Sequence, residues 1–531
     1  MASLEKHNKI QSERHSLEKK IVALLFLFAF LRGALYAFTL PPWGLLDEEQ
    51  HFDYILKLTR TGVPPEVGTD YLDREVIQSV IDTRRHEKFQ WPTPTSLNPK
   101  KWGLEGHSYE GYQGPAYYYL AVPFFLLINR AVVDKLYGLR IVMVVFSLIT
   151  IWIAINLTKE LFPEKKLLPY LVAGILISIP ERTASTARLS NDLFLEIISI
   201  TFLWVFSRSM LQEISWKNAI FLGMVSGIGL LTKFSFAGML LLLPVVFLLN
   251  IQNEKIFLKG VLVVFIVAII SGPFLLYNYR LYADLTGFKG FSDLYSRYAV
   301  LWNPPHRLDT LANAAWQVFR GFWVMWWKGF EAVSTPFLNA FWIGLLGITI
   351  LASVGFVKEV KSCFSIDRRR GWILLSFVGI VLIYFVLVLV GYFSGKFPVI
   401  QGRLVLPVVY PFILIIALGL CRFRPAKLIF GFLIIGLLVV DVYSLLENIL
   451  LNFYYYSTFF SNGVAVQQVW QGWDWATRLL ITNFISDKPF WVIWGICLFF
   501  PAYFFLLAWS GVKIAQSLFR KQILVELNNE F

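Results

Sequence analysis

The chain has 531 residues, of which 57% are hydrophobic, 17% aromatic and only 16% charged. That balance excludes an ordinary soluble protein of this length, and recurring apolar runs of about 20 residues mark a polytopic membrane protein. The formal charge of +13 calls for no nucleic-acid partner, because Lys and Arg gather at the cytoplasmic ends of membrane spans.

The N-terminal MASLEKHNKIQSERHSLEKK is a charged, helical lead-in to an apolar run from Ile21 to Leu40. Both are long and no A-x-A site follows, which favours an uncleaved first span over a secretory signal peptide. Further spans are expected at 139–158, 167–180, 192–208, 218–232, 234–250, 256–279, 336–357, 372–393, 404–420, 427–448 and 489–510. One more apolar stretch, GPAYYYLAVPFFLLIN (114–129), is short, starts at Gly-Pro and contains Pro123. Whether it crosses decides the side of everything after it.

Basic residues arbitrate. If 114–129 does not cross and the N-terminus is inside, the inner segments hold 23 Lys and Arg, five of them in 358–370 and three in 421–427. If it does cross, both segments flip outward, against the positive-inside rule. The reading is an all-α integral membrane protein of about twelve spans, with both termini cytoplasmic and 114–129 lying at the outer interface. A cytoplasmic segment (1–20) precedes one transmembrane domain (21–510), and a cytoplasmic tail (511–531) follows. Outer loops are expected at 41–138, 280–335 and 449–488, with a short turn around Arg182–Asp192. FRGFWVMWWKGF, in the second loop, suits an interfacial aromatic belt. Cys363, Cys421 and Cys497 show neither metal-ligand spacing nor a disulfide framework.

The densest acidic cluster, LLDEEQHFDY (45–54), follows the first span. If DEEQHF starts a helix, Asp47, Glu48 and His51 share a face at spacings of three and four. That set could serve as a general base or hold a divalent ion, so metal dependence stays open. The plainer alternative is a solvated first turn whose acids favour the helix dipole. In PERTASTARLSNDLF (180–194), Ser190 or Asn191 is a natural helix cap, while Asp192 sits ionisable at the lip of a span. Lys233 lies at an outer junction between two spans, against the positive-inside trend, and Arg403 starts a span on the same side. Each could simply snorkel to headgroups, or could grip an anionic lipid phosphate, with Arg able to do so bidentately. Arg280, in YNYRLYADLTG, is a weaker third cation.

Taken in order, PPWGLLDEEQHFDY, EGYQGPAYYYLAVP, RLSNDLF, GLLTKFSFAGMLLLLP, YNYRLYADLTG and QGRLVLPVVYPF resemble the GT-C superfamily of membrane glycosyltransferases. The likeness is nearest to the protein-mannosyltransferase and aminoarabinose-transferase branch, and runs from about residue 20 to about 420. It implies a GT-C-like helix bundle with outer interfacial helices, and transfer of a sugar from a polyprenyl-phosphate donor to a protein, lipid or glycan acceptor at the outer face of the cytoplasmic membrane. It implies Asp47 as general base, Glu48 as the adjacent acid, Asp192 as a second acid for acceptor or metal, and Lys233 and Arg403 beside the lipid phosphate. The chain departs from the pattern at Glu49, where relatives often have Pro. It also has Gly114-Pro115 where two prolines are usual, and Leu404 where Tyr commonly follows the Arg. A secondary transporter or flippase is the competing class. Transporters place their sites near the midplane, whereas these candidates gather at the rim. A non-catalytic assembly protein with the same fold is a third reading.

Overall fold

The computed structural model describes residues 2–44, 47–83, 96–298, 319, 336–393, 402–423, 426–443, 445, 485 and 487–519. Most of the Trp-rich stretch, the third expected loop up to 484 and the end of the tail lie outside the described residues.

The described residues are helical apart from short loops and one isolated bridge between Tyr71 and His107. Helices α1 (Ala2–Thr39), α2 (Glu48–Thr61), α3 (Arg74–Asp82), α4 (Ala116–Leu127), α5 (Val132–Leu161), α6 (Leu168–Ser178), α7 (Pro180–Thr186), α8 (Asp192–Leu211) and α9 (Trp216–Thr232) follow in order. They are succeeded by α10 (Ala237–Leu240), α11 (Leu243–Leu249), α12 (Ile256–Tyr282), α13 (Phe288–Tyr298), α14 (Pro336–Ile366), α15 (Arg368–Phe393), α16 (Val409–Leu420), α17 (Ala426–Tyr443) and α18 (Phe490–Phe519).

Eight helices among the described residues are long and apolar enough to cross a membrane, and they coincide with eight of the twelve expected spans. The other four fall short for local reasons. α6 stops at Ser178 because Ile179 precedes Pro180, which pushes it into extended backbone at ψ 117°. The expected span 234–250 is broken into a 3-10 turn (Phe234–Phe236), α10 and α11, with Pro244 in the first turn of α11. α9 has 17 residues, and the apolar part of α17 is Leu433–Val442. α4 has 12 residues. It therefore spans about 18 Å, too little for a hydrocarbon core of about 30 Å. It packs against α2, joined by Tyr54 stacked on Tyr118 at 3.7 Å and Phe52 against Phe125.

The core is built by α5, α6, α8, α9, α15 and α16, where Ile151, Leu176, Phe202, Leu222, Ile380 and Leu414 are fully buried. α12 is peripheral and presents Phe257, Val264, Phe265 and Leu276 outward. Inside the bundle Arg32 pairs with Asp441 at 2.5 Å, and Tyr36 donates to the same carboxylate at 2.7 Å. This fastens α1 to α17.

Ion pairs define the two ends of the bundle. Lys159–Glu18, Lys165–Glu359, Arg208–Glu160, Arg370–Glu164 and Arg422–Glu359 gather at one end. These residues lie in or beside the basic segments expected on the inner side. The ends of α1 and α9 and the starts of α5, α8 and α16 meet at the other.

Candidate active site

At this second end α2 organises the loop that follows it. Gln50 donates to the Glu105 carbonyl at 3.1 Å and accepts from the Tyr109 N–H at 3.2 Å. Ser108 donates to Asp53 at 2.7 Å, and Tyr54 donates to the Gln113 carbonyl at 3.0 Å. Residues 50, 53 and 54 share a helix face by their spacing, so one face of α2 pins the loop from 105 to 113. The loop then approaches the end of α9 closely. A Cβ on Gly114 would lie 1.9 Å from the Leu231 carbonyl oxygen, so only glycine fits there.

Asp47 stands just before α2 with φ 70°, a left-handed conformation that aspartate tolerates better than most residues, and its side chain makes no capping bond. Its Oδ1 accepts from the Tyr109 hydroxyl at 2.7 Å, and its Oδ2 meets the Arg403 guanidinium at 2.7 Å. The same guanidinium reaches Asp192 Oδ2 at 3.6 Å. Asp192, at the first turn of α8, also accepts from Lys233 Nζ at 2.8 Å and from Arg188 at 3.0 Å. Asp47, Asp192, Lys233 and Arg403 thus form one cluster. Neither cation snorkels away from the bundle. Asn191 does not cap α8; its amide reaches the Thr232 carbonyl at 3.3 Å and its oxygen takes a long contact of 3.4 Å from Lys233.

Glu48, next to Asp47, goes elsewhere. Its carboxylate pairs with Arg140 at 2.5 Å, both side chains being fully buried, and also accepts the Leu189 N–H at 3.0 Å. Arg140 in turn donates to the carbonyls of Leu40 and Pro41 at 3.0 and 2.9 Å. Glu48 therefore ties the end of α1, the start of α2 and the loop before Asp192 to one point, and so positions the cluster without joining it. Arg280 is exposed at the last turn of α12 and pairs with no carboxylate among the described residues. His51 is buried, with Nδ1 2.8 Å from the Tyr118 hydroxyl.

Two polar residues of the site carried no signal of their own in the sequence. Arg188 opens the RLSNDLF motif four residues before Asp192, a spacing that brings the pair together across a helix start. Glu110, in EGYQGP, is 9% exposed and its Oε2 has no partner among the described residues.

The electrostatics sort these groups. Burial alone would raise the Asp47 carboxyl, but Arg403 and Tyr109 outweigh it and bring it down to about 2. Burial pushes His51 down to about 3 against the pull of Asp47 and Asp192, so the ring is neutral. Burial, then the charge of Asp47, pushes Glu110 up to about 8 despite Lys233 and Arg403. At neutral pH three cations (Arg188, Lys233, Arg403) face two ionised carboxylates (Asp47, Asp192) and Glu181, whose carboxyl is pushed by burial up to about 7 and carries only part of its charge, so positive charge remains in excess. Such a site suits an anion. It does not suit a divalent cation: the carboxylates are already engaged by cations, and no group of three His, Cys, Asp or Glu among the described residues could hold a metal.

The segment from Gln113 to Leu276 contains α4, α5, α8, Lys233 and most of α12. Over residues 113–276 the chain matches the dolichyl-phosphate-mannose-protein mannosyltransferase family. The match supports the resemblance to GT-C membrane glycosyltransferases carried by the sequence motifs. Among solved structures the chain is similar to ArnT from Cupriavidus metallidurans bound to undecaprenyl phosphate, at 14% identity and TM-score 0.46 over 92% of this chain and 76% of that one. It is also similar to the Archaeoglobus fulgidus oligosaccharyltransferase in complex with zinc and sulfate, at 13% identity and TM-score 0.40 over 78% of this chain and 53% of that one. Among curated proteins no sequence matches significantly.

Proposed function

We propose that this protein is a glycosyltransferase of the cytoplasmic membrane that takes a sugar from a polyprenyl-phosphate-linked donor. The acceptor is a hydroxyl of a protein, lipid or cell-envelope glycan at the outer face. The observation that carries the reading is a single guanidinium, Arg403, bridging Asp47 and Asp192, with Lys233 and Arg188 leaving positive charge in surplus at the lip of a membrane bundle. A lipid phosphate arriving within the membrane would meet that lip from below, and a polar acceptor would meet it from water. The family matched over 113–276 is named for a lipid-phosphate-linked sugar donor, which supports the same class. The basic segments at the opposite end of the bundle favour a cytoplasmic side there, and hence an outer site.

Asp47 acts as general base on the acceptor hydroxyl. The hydroxyl oxygen bonds to the anomeric carbon, and the bond from that carbon to the phosphate oxygen breaks. Its electron pair stays on the polyprenyl phosphate, and the hydroxyl proton passes to Asp47. Lys233, Arg403 and Arg188 stabilise the charge that grows on the leaving phosphate, where such contacts count most. Held by Arg403, the free Asp47 is a weak base. A phosphate that draws Arg403 away raises the basicity of Asp47 as the donor binds, so activation is coupled to donor occupancy.

Native mass spectrometry of the purified protein tests the donor class. A polyprenyl phosphate or its glycoside should accompany the wild type and be lost from a Lys233→Ala, Arg403→Ala double variant. If no such lipid binds even when supplied in excess, the transferase reading fails and transport becomes the better account.

A further inference from the structure

Asp47, Asp192, Lys233 and Arg403 pair with one another, and beside them one buried carboxyl is conspicuous. Glu110 sits on the 3-10 turn Tyr109–Tyr112. Its neighbour Tyr109 holds Asp47, and its own Oε2 is enclosed without a partner among the described residues. Buried polar atoms are nearly always hydrogen-bonded, so an enclosed free oxygen beside a binding cluster points to a missing ligand group.

The surroundings say which kind. The charged groups acting on Glu110 are Asp47 at the start of α2, Asp192 at the start of α8, Lys233 after α9 and Arg403 before α16. The tyrosines that feel it are Tyr54 on α2, Tyr109 and Tyr112 on its own turn, and Tyr118 on α4. The two cations that act on Glu110, Lys233 and Arg403, are already engaged by Asp192 and Asp47.

On the reading of the site as a lipid-phosphate site, we propose that Glu110 is a further donor-binding residue, whose free carboxyl oxygen donates a hydrogen bond to a phosphate oxygen of the donor. The geometry demands an O–H at that oxygen, and the environment supplies it: Glu110 is held up to about 8, so it carries its proton at neutral pH. Ionised, it would be a repelling charge against the phosphate, because a carboxylate only accepts hydrogen bonds. Donor affinity should therefore be lost in alkali chiefly through this group; Glu181, which acts on Arg188 and Arg403, is raised only to about 7 and is already mostly ionised at pH 7.5. The four tyrosines are raised well above 10 and His51 is neutral, so none of them changes charge between pH 7.5 and 9.5. A phosphate monoester, with its second pKa near 6, is already fully ionised across that window.

The test is binding of undecaprenyl phosphate to the full chain in phosphatidylcholine nanodiscs, measured from pH 7.5 to 9.5 at fixed salt. Wild-type affinity should fall by about 10- to 25-fold: losing a hydrogen bond to a charged group costs at least about 10-fold, and a single group titrating near 8 caps the fall over this window at about 25-fold. Glu110→Gln keeps an N–H donor that does not ionise. It should bind within a few-fold of wild type at pH 7.5 and show no alkaline loss. Glu110→Ala should bind weakly at every pH. A wild-type profile that stays flat, or the same alkaline loss in Glu110→Gln, would overturn the role of Glu110 while leaving the lipid-phosphate site standing. If the wild type binds undecaprenyl phosphate at no pH, the donor reading itself is wrong, and Glu110 falls with it.

Discussion

The two ends of the bundle use ion pairs in opposite ways. At the basic end each pair keeps at least one partner in contact with water, from 27% exposed in Lys165–Glu359 to 53% in Arg370–Glu164. At the other end no partner among Glu48–Arg140, Asp192–Arg188, Asp192–Lys233 and Asp47–Arg403 exceeds 21%. Exposed pairs contribute about 0–1 kcal/mol each, whereas leaving one partner of a buried pair alone costs about 3–5 kcal/mol. The first end is a solvated fastening that any membrane bundle could carry. The second concentrates desolvated charge on side chains from five separate segments, an expensive arrangement that packing does not require.

Measurements can separate the ends, beginning with the largest effect. Asp47→Asn should lower transfer by roughly 10²- to 10⁴-fold, the usual share of a general base, while undecaprenyl phosphate still binds. Transfer at the wild-type rate would remove Asp47 from that role. Arg140→Met should lower unfolding stability by about 3–5 kcal/mol, because Glu48 is left charged and buried; denaturant titration in mild detergent reads this. Stability against pH probes Glu110. The unfolded side chain ionises near 4.5 and the folded one near 8, so between those values the folded state keeps a proton that the unfolded state has lost. Wild-type stability should thus fall relative to Glu110→Gln as pH rises from 4.5 to about 8, with a constant gap above that. At the basic end Glu160→Ala, which frees exposed Arg208, should cost less than about 1 kcal/mol and leave transfer unchanged. A loss there as large as that of Arg140→Met would erase the contrast.

Much of the architecture was legible because membrane spans obey simple rules. Charge counting alone kept 114–129 out of the spans, and α4 is indeed too short to cross. The broken region at 234–249 was less legible, since a hydropathy run records greasiness and not the turns within it. Within the site, Asp47, Asp192, Lys233 and Arg403 stood out because each is a charge at the lip of an apolar run. Glu48 stood out on the same grounds, yet successive helix residues point about 100° apart, so it faces Arg140 and not Arg403. Arg280 is expected on the same side as the cluster, yet it pairs with no carboxylate among the described residues. Glu110 and Arg188 lie inside motifs already noted, Arg188 four residues before its partner Asp192, but what makes them part of a site is a cluster assembled from residues far along the chain. For Glu110, the telling property is an enclosed Oε2 with no partner among the described residues.

The central claim is that the charge cluster holds the phosphate of a lipid-linked donor, and the most direct test is an experimental structure of the protein with undecaprenyl phosphate. The expected result puts the phosphate within salt-bridge reach, about 4 Å, of both Lys233 and Arg403, with Arg403 drawn off Asp47. A phosphate bound elsewhere, with the Arg403–Asp47 and Lys233–Asp192 pairs undisturbed, would contradict it.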